Sequence, residues 1–177
     1  MTTVGFLARR VFGFGAGLSM ALVFAIIFVN SLRRYTIGQS VPWGEELPIY
    51  LTIYGVMFGV ALAYLQDRHI RFTIFTDFAS SRIRERLFAL VDLVTFSAGV
   101  ALAISGHEFA ARRGHIAASG LRSTGRWIVE TTGIEWLGWI AKIGTWQYAM
   151  AIGGAMLAVA ALIRLIERVS AQKAVSA

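Results

Sequence analysis

The sequence predicts an all-α integral membrane protein of four transmembrane helices. Three observations carry this. Of 177 residues, 56% are hydrophobic and the mean hydropathy is +0.64, more apolar surface than a soluble domain of this size can hide. The apolar residues are gathered into runs of about twenty rather than spread as short amphipathic stripes, which is what lipid as the solvent requires. The alternation of a membrane β-barrel is absent, and a helix satisfies its own backbone hydrogen bonds in hydrocarbon.

The first span covers residues 11–32, with no charged residue. At about 1.5 Å per residue it is long enough to cross a hydrocarbon core of roughly 30 Å. Arg9 and Arg10 precede it. The run is too long for the core of a cleaved signal, and no small-x-small site follows, so it reads as a retained helix with a basic anchor. The second span, residues 47–65, is also uncharged, and the third, residues 87–106, is broken only by Asp92. The fourth, residues 143–163, is bounded by Lys142 and Arg164. The whole chain, 1–177, reads as a single membrane domain.

Lysine and arginine counts set an expected orientation. The N-terminal segment, the loop 66–86 and the C-terminal tail carry two, five and three, ten in all, against seven in the two opposite loops. The excess places both termini in the cytoplasm. The net charge of +7 is scattered between apolar runs rather than laid along a stripe with stacking aromatics. Its expected partner is membrane lipid, and not nucleic acid.

Small residues recur every four positions: Gly13, Gly17, Ala21 and Ala25 in the first span, Gly55, Gly59 and Ala63 in the second, Gly99 and Ala103 in the third. Such faces let helix backbones approach closely. The expected use for most of them is packing inside one four-helix bundle, with docking of another subunit as the alternative.

Residues 107–142 are too polar to span and too long for a tight turn. Residues 130–142 set Ile134, Trp136, Leu137, Trp139 and Ile140 among polar positions, and with Trp127 and Trp146 this reads as an interfacial segment lying along the membrane between the third and fourth helices, its tryptophans Trp127, Trp136, Trp139 and Trp146 serving as anchors.

Candidate chemistry is sparse. The chain has no cysteine, which removes disulfides, thiolate nucleophiles and Cys-ligated metals. None of His69, His107 and His115 lies mid-span, where an axial haem ligand would sit. No phosphate loop, catalytic triad or zinc motif occurs. The expectation is therefore no catalytic residue, no cofactor and no metal. Asp92 is the intramembrane charge, a functional candidate by default. With no second carboxylate beside it, a structural pair with Arg9, Arg10, Arg86 or Arg164 is the favoured reading over a proton relay. Glu45 and Glu46, followed by Pro48, suit the start of a helix, where the dipole favours carboxylates and proline fits the first turn.

Between residues 34 and 75 the order of motifs is distinctive: Arg34-Tyr35 after the first span, Trp43-Gly44-Glu45-Glu46 opening the second, Phe58-Gly59-Val60-Ala61 within it, and His69-Ile70-Arg71-Phe72 beyond its end. On a short four-span chain this resembles the small membrane (Q) subunit of tripartite ATP-independent periplasmic (TRAP) transporters. The resemblance covers roughly the first 110 residues. The chain departs from the family in carrying Thr73 where an acidic residue often follows the His-Ile pair, and in a longer 107–142 region.

The resemblance implies a scaffold rather than a reaction. A periplasmic substrate-binding protein captures an organic anion, usually a carboxylate. A large membrane subunit imports it on an ion gradient, commonly sodium, across the bacterial inner membrane. The small subunit braces the large one without binding substrate. By this analogy Arg34, Tyr35, Trp43, Glu45, Glu46, Gly55, Gly59 and His69 serve helix ends and the subunit interface. The alternative is a small four-helix membrane enzyme acting on a lipophilic substrate; a redox-complex anchor ranks below it for want of intramembrane histidines.

Overall fold

The computed structural model describes residues 3–66 and 81–176, with side chains described for 3–66 and 83–170. These segments are helical almost throughout. α1 runs Thr3–Ile37, α2 Glu46–Leu65, α3 Ser81–Arg113, α4 Arg122–Thr132 and α5 Ile143–Ser176, with a 310 turn at Glu135–Ala141. Four of them, α1, α2, α3 and α5, are long and apolar enough to cross a membrane. Each contains one predicted span. α1, α3 and α5 also continue well past the apolar runs. Their 35, 33 and 34 residues correspond to roughly 50 Å each, against about 30 Å of hydrocarbon. Charged flanks such as 84–86 propagate the helix because a nucleated helix extends cheaply.

α1 ends at Gly38, whose φ of 73° lets its N–H return to the Arg34 carbonyl at 3.2 Å. The reversal into α2 is closed by Asn30. Its Oδ1 accepts the Val41 N–H at 2.8 Å, and Gly44 is buried against the same amide, where an added Cβ would stand 2.5 Å from Cγ. A side chain at position 44 would expel Asn30.

Among the described residues the spans pack in the order α1–α2–α5–α3. α1 touches α5 only slightly, and the outer helices α1 and α3 share no extended contact. The four long helices thus form an open succession, each packed mainly on its neighbours. In lipid nothing forces closure, because an apolar face turned to acyl chains costs little. Phe14, Phe24 and Phe28 of α1 accordingly face outward.

The small-residue stripes are used selectively. The closest approach is between α3 and α5. There an added Cβ at Gly99 would lie 2.7 Å from Ala158 N, at Gly106 2.6 Å from Ala151 N, and at Gly154 2.5 Å from Ala103 N. Gly55 packs on Ser19 and Met20 of α1. Gly17 and Gly59 have nothing within 4 Å of where a Cβ would stand, and Ala21 and Ala25 are exposed, so these positions do not serve the packing expected of them. The aliphatic and aromatic core lies where α1, α2 and α5 meet, around Phe12, Ala61, Leu65, Ala160 and Ile163.

Beyond α3 the chain folds back on itself. An isolated antiparallel bridge joins Ala117 and Lys142, with Ala118 N–H donating to the Ala141 carbonyl at 2.7 Å and Ile143 N–H to Ile116 at 2.9 Å. α4 and the 310 turn form a small layer on that bridge, with Gly125 seated against Ala141.

Candidate functional site

Two polar clusters tie the helix ends, one at each end of the spans. The first surrounds Asp92. Because α3 begins at Ser81, this carboxylate stands about three turns inside the helix. It is 1% exposed. Oδ1 accepts the Tyr64 hydroxyl at 2.6 Å, and Oδ2 accepts Arg168 Nε at 2.6 Å. The guanidinium of Arg168 also lies over the Phe88 ring, 5.0 Å from its centroid. Three helices therefore converge on one carboxylate: α2 through a hydroxyl, α3 through the acid itself, α5 through the cation. α1 joins at the same end, where Arg9 Nη2 donates to the Leu65 carbonyl at 2.9 Å. That carbonyl belongs to the last turn of α2, where helix carbonyls lack intrahelical donors.

The cation that meets Asp92 is Arg168, which was not among the four arginines proposed from the sequence. Arg164 and Arg168 share a face of α5, one turn apart, so linear distance could not choose between them. Arg164 instead lies 3.6 Å from Glu167. Tyr64 was missed altogether. Its only signal is a hydroxyl near the end of an otherwise apolar helix, and a buried tyrosine hydroxyl takes a partner. Both oxygens of this buried carboxylate are therefore engaged within the chain, as buried acceptors require.

The second cluster is built on Glu46 at the opposite end. Its Oε1 accepts the Tyr50 hydroxyl at 2.7 Å, one turn along α2, and its Oε2 accepts the Gly120 N–H at 2.6 Å. Glu46 is thus more than a residue suited to a helix start: it latches the loop after α3 onto α2. Gly120 is required there, since a Cβ would stand 2.7 Å from the Pro42 carbonyl oxygen and 2.8 Å from the Glu46 carboxylate. Tyr50 stacks on Trp146 at 5.4 Å between centroids, and Tyr54 meets the same indole edge-on at 6.4 Å. The indole Nε1 donates to the Ile140 carbonyl at 2.9 Å, and the Tyr54 hydroxyl to the Thr145 carbonyl at 2.9 Å. Trp146 is therefore packed between α2 and the 310 turn, in contrast to the other three tryptophans proposed as membrane anchors. Trp127 and Trp136 are 64% and 67% exposed, and Trp139 also faces outward.

The remaining candidates are dispersed. Glu45 points away from Glu46, is exposed, and lines a cleft shared with Arg34. Tyr35 is 85% exposed. Trp43 is half-buried and borders a shallow groove with Ser123, Thr124 and Trp127. His107 rests beside the Tyr148 ring, and His115 is exposed. His69 lies outside the described residues. Among the described residues, nothing in this arrangement gathers a nucleophile, a base and an acid.

Over residues 23–171 the sequence matches the family described as tripartite ATP-independent periplasmic transporters, DctQ component. The chain belongs to that family. The matched region takes in the latter part of α1 and everything through the charged end of α5, so it contains Asp92, Tyr64, Arg168 and Glu46. Comparison with curated proteins found no match. The DctQ component is part of a transporter and not an enzyme family, and membership implies association with the other components of such a system. The four apolar helices agree with a multi-pass membrane protein.

Proposed function

We propose that the chain is the small scaffold subunit of a secondary TRAP transporter in the bacterial inner membrane, with both termini cytoplasmic. It braces the large membrane subunit and does not itself bind the transported compound. That compound is an organic anion such as a carboxylate, captured by a periplasmic binding protein and imported on an ion gradient, sodium in this reading.

One observation carries the scaffold reading. The buried carboxylate of the spans is committed on both oxygens to partners within the chain, Tyr64 and Arg168. An ion relay needs a carboxylate free to change partners, whereas a brace needs its helix ends tied. The open order of helices leaves long apolar faces on α1 and α3 available to a larger membrane protein. The latch at Glu46 ties the far end.

The test is purification of the tagged chain from its native membranes in a gentle detergent, followed by mass spectrometry and by uptake after reconstitution. A stoichiometric large polytopic partner, with uptake that needs both chains and the binding protein, is the expected result. Recovery of the chain alone across several mild detergents would overturn the reading. Replacing Glu45 and Glu46 together by alanine is expected to weaken recovery of the complex more than insertion of the chain.

A further inference from the structure

A cleft of about 410 Å³ opens between the end of α1 and the start of α2. Its polar rim includes Asn30, Arg34 and Glu45, and its apolar wall includes Val23, Ile27 and Ile49. Arg34 and Glu45 have opposite charges yet do not bridge each other, and among the described residues neither side chain makes an ion pair or hydrogen bond. The Asn30 carbonyl is engaged by Val41 N–H, which fixes the side chain and leaves its amide donors uncommitted. The cleft is thus a separated pair of charges above an aliphatic wall, and the wall continues onto the outward-facing surface of both helices.

We infer that this cleft binds a phospholipid with a phosphoethanolamine headgroup. The chemistry matches group by group. Arg34 meets the phosphate through a charge-assisted hydrogen bond, for which guanidinium geometry is well suited. Glu45 accepts from the primary ammonium a short distance away on the same headgroup. The acyl chains descend along Val23, Ile27 and Ile49. The expected depth agrees, because Arg34 and Glu45 stand where α1 ends and α2 begins, beyond the uncharged runs 11–32 and 47–65, as the charges of an interfacial site would. An anionic glycerol headgroup would satisfy Arg34 but face the Glu45 carboxylate without a cation. A trimethylated choline would offer Glu45 charge but no N–H. The cleft therefore selects a headgroup rather than merely accepting a lipid.

The experiment uses the full chain, purified and exchanged into detergent containing equal amounts of dioleoyl phosphatidylethanolamine and dioleoyl phosphatidylglycerol, read by native mass spectrometry. Wild type is expected to retain the ethanolamine lipid in preference. Glu45→Gln should lower that preference by about tenfold, the loss of one charge-assisted hydrogen bond. Arg34→Ala should lower retention of both lipids. Ile27→Trp fills the apolar part of the cleft without touching either charge, and should reduce bound lipid while leaving the headgroup ratio of what remains unchanged. It keeps the test available if a charge variant does not fold. Equal retention of the two lipids by wild type, or an unchanged ratio in Glu45→Gln, would overturn the inference. So would displacement of the lipid by soluble phosphoethanolamine at matching concentration, which would identify a site for a small zwitterion.

Discussion

Removing the cation from the Asp92 cluster exposes the balance that holds that end of the four long helices together. In Arg168→Ala the carboxylate stays buried at 1% exposure and keeps only the Tyr64 hydroxyl, its 2.6 Å contact with Arg168 Nε being lost. Leaving one member of a buried pair uncompensated costs about 3–5 kcal/mol. Two circumstances set where in that range it falls. The Arg168 side chain is 20% exposed, so some water already reaches the pair and the loss lies toward the lower end. The guanidinium also covers Phe88 at 5.0 Å, which adds a cation–π loss of roughly 0.5–1 kcal/mol at a partly exposed site. The expected cost is about 3–4 kcal/mol, or roughly 10 °C in Tm by the scaling for chains of this size. Thermal unfolding of the purified chain in mild detergent, followed by tryptophan fluorescence, measures it. Asp92→Asn in the same assay should cost less than Arg168→Ala, because a neutral amide is cheaper to leave buried than a charge. The double variant Asp92→Leu with Arg168→Met should lie closer to wild type than Arg168→Ala. An Arg168→Ala shift below about 2 °C, or a double variant less stable than both single changes, would refute the claim that the pair is buried and mutually compensated.

Four further outcomes follow from the same structure. Gly154→Ala should destabilise the chain by about 1–3 kcal/mol, since its Cβ would meet Ala103 backbone, whereas Gly59→Ala should be close to neutral in the same melt. Glu46→Ala should cost roughly 1.5–3 kcal/mol through the lost bonds to Tyr50 and Gly120. It should also speed proteolytic cleavage in the 114–121 loop, and an unchanged cleavage rate would discount the latch. Trp127→Ala should leave the melt unchanged but reduce the quenching of tryptophan by lipids brominated near the headgroup, because Trp127 faces outward while Trp146 is packed inside. The chain lacks cysteine, so single substitutions report orientation. Ser119→Cys should react with an impermeant maleimide in intact spheroplasts and Thr3→Cys only after permeabilisation, with the reverse pattern inverting the proposed topology.

The four apolar helices and the polar character of residues 107–142 were legible in the sequence because hydropathy is a local property, while the helix ends beyond the apolar runs were not. Any helix of about twenty uncharged residues has the same low cost in hydrocarbon whatever its neighbours are. The resemblance carried by Trp43-Gly44-Glu45-Glu46 and its neighbours agreed with the family match. The candidate residues were less transparent. Glu45 and Glu46 are adjacent and chemically identical in role on paper, yet one lines an open cleft and the other grips Gly120 across the molecule. Their difference is a rotation of about 100° around α2, which acquires meaning only once a loop 74 residues away is in place.

Sequence alone determined that four segments are long and apolar enough to cross a membrane, and that a carboxylate at Asp92 would need a partner among them. Tertiary structure decided which partner, and which glycines bring backbones together. The physical reason lies in the solvent. Water would have dictated which face of each helix turns inward, since apolar residues would have only one place to go. Hydrocarbon tolerates every apolar face equally, so rotation and neighbour choice are left to shape and to a few polar contacts. Gly99 and Gly154 fit against opposing backbone while Gly17 and Gly59 meet nothing. Arg168 and not its neighbour one turn away closes on Asp92. Those choices arise from where helices lie in three dimensions, which no periodicity along a single span contains.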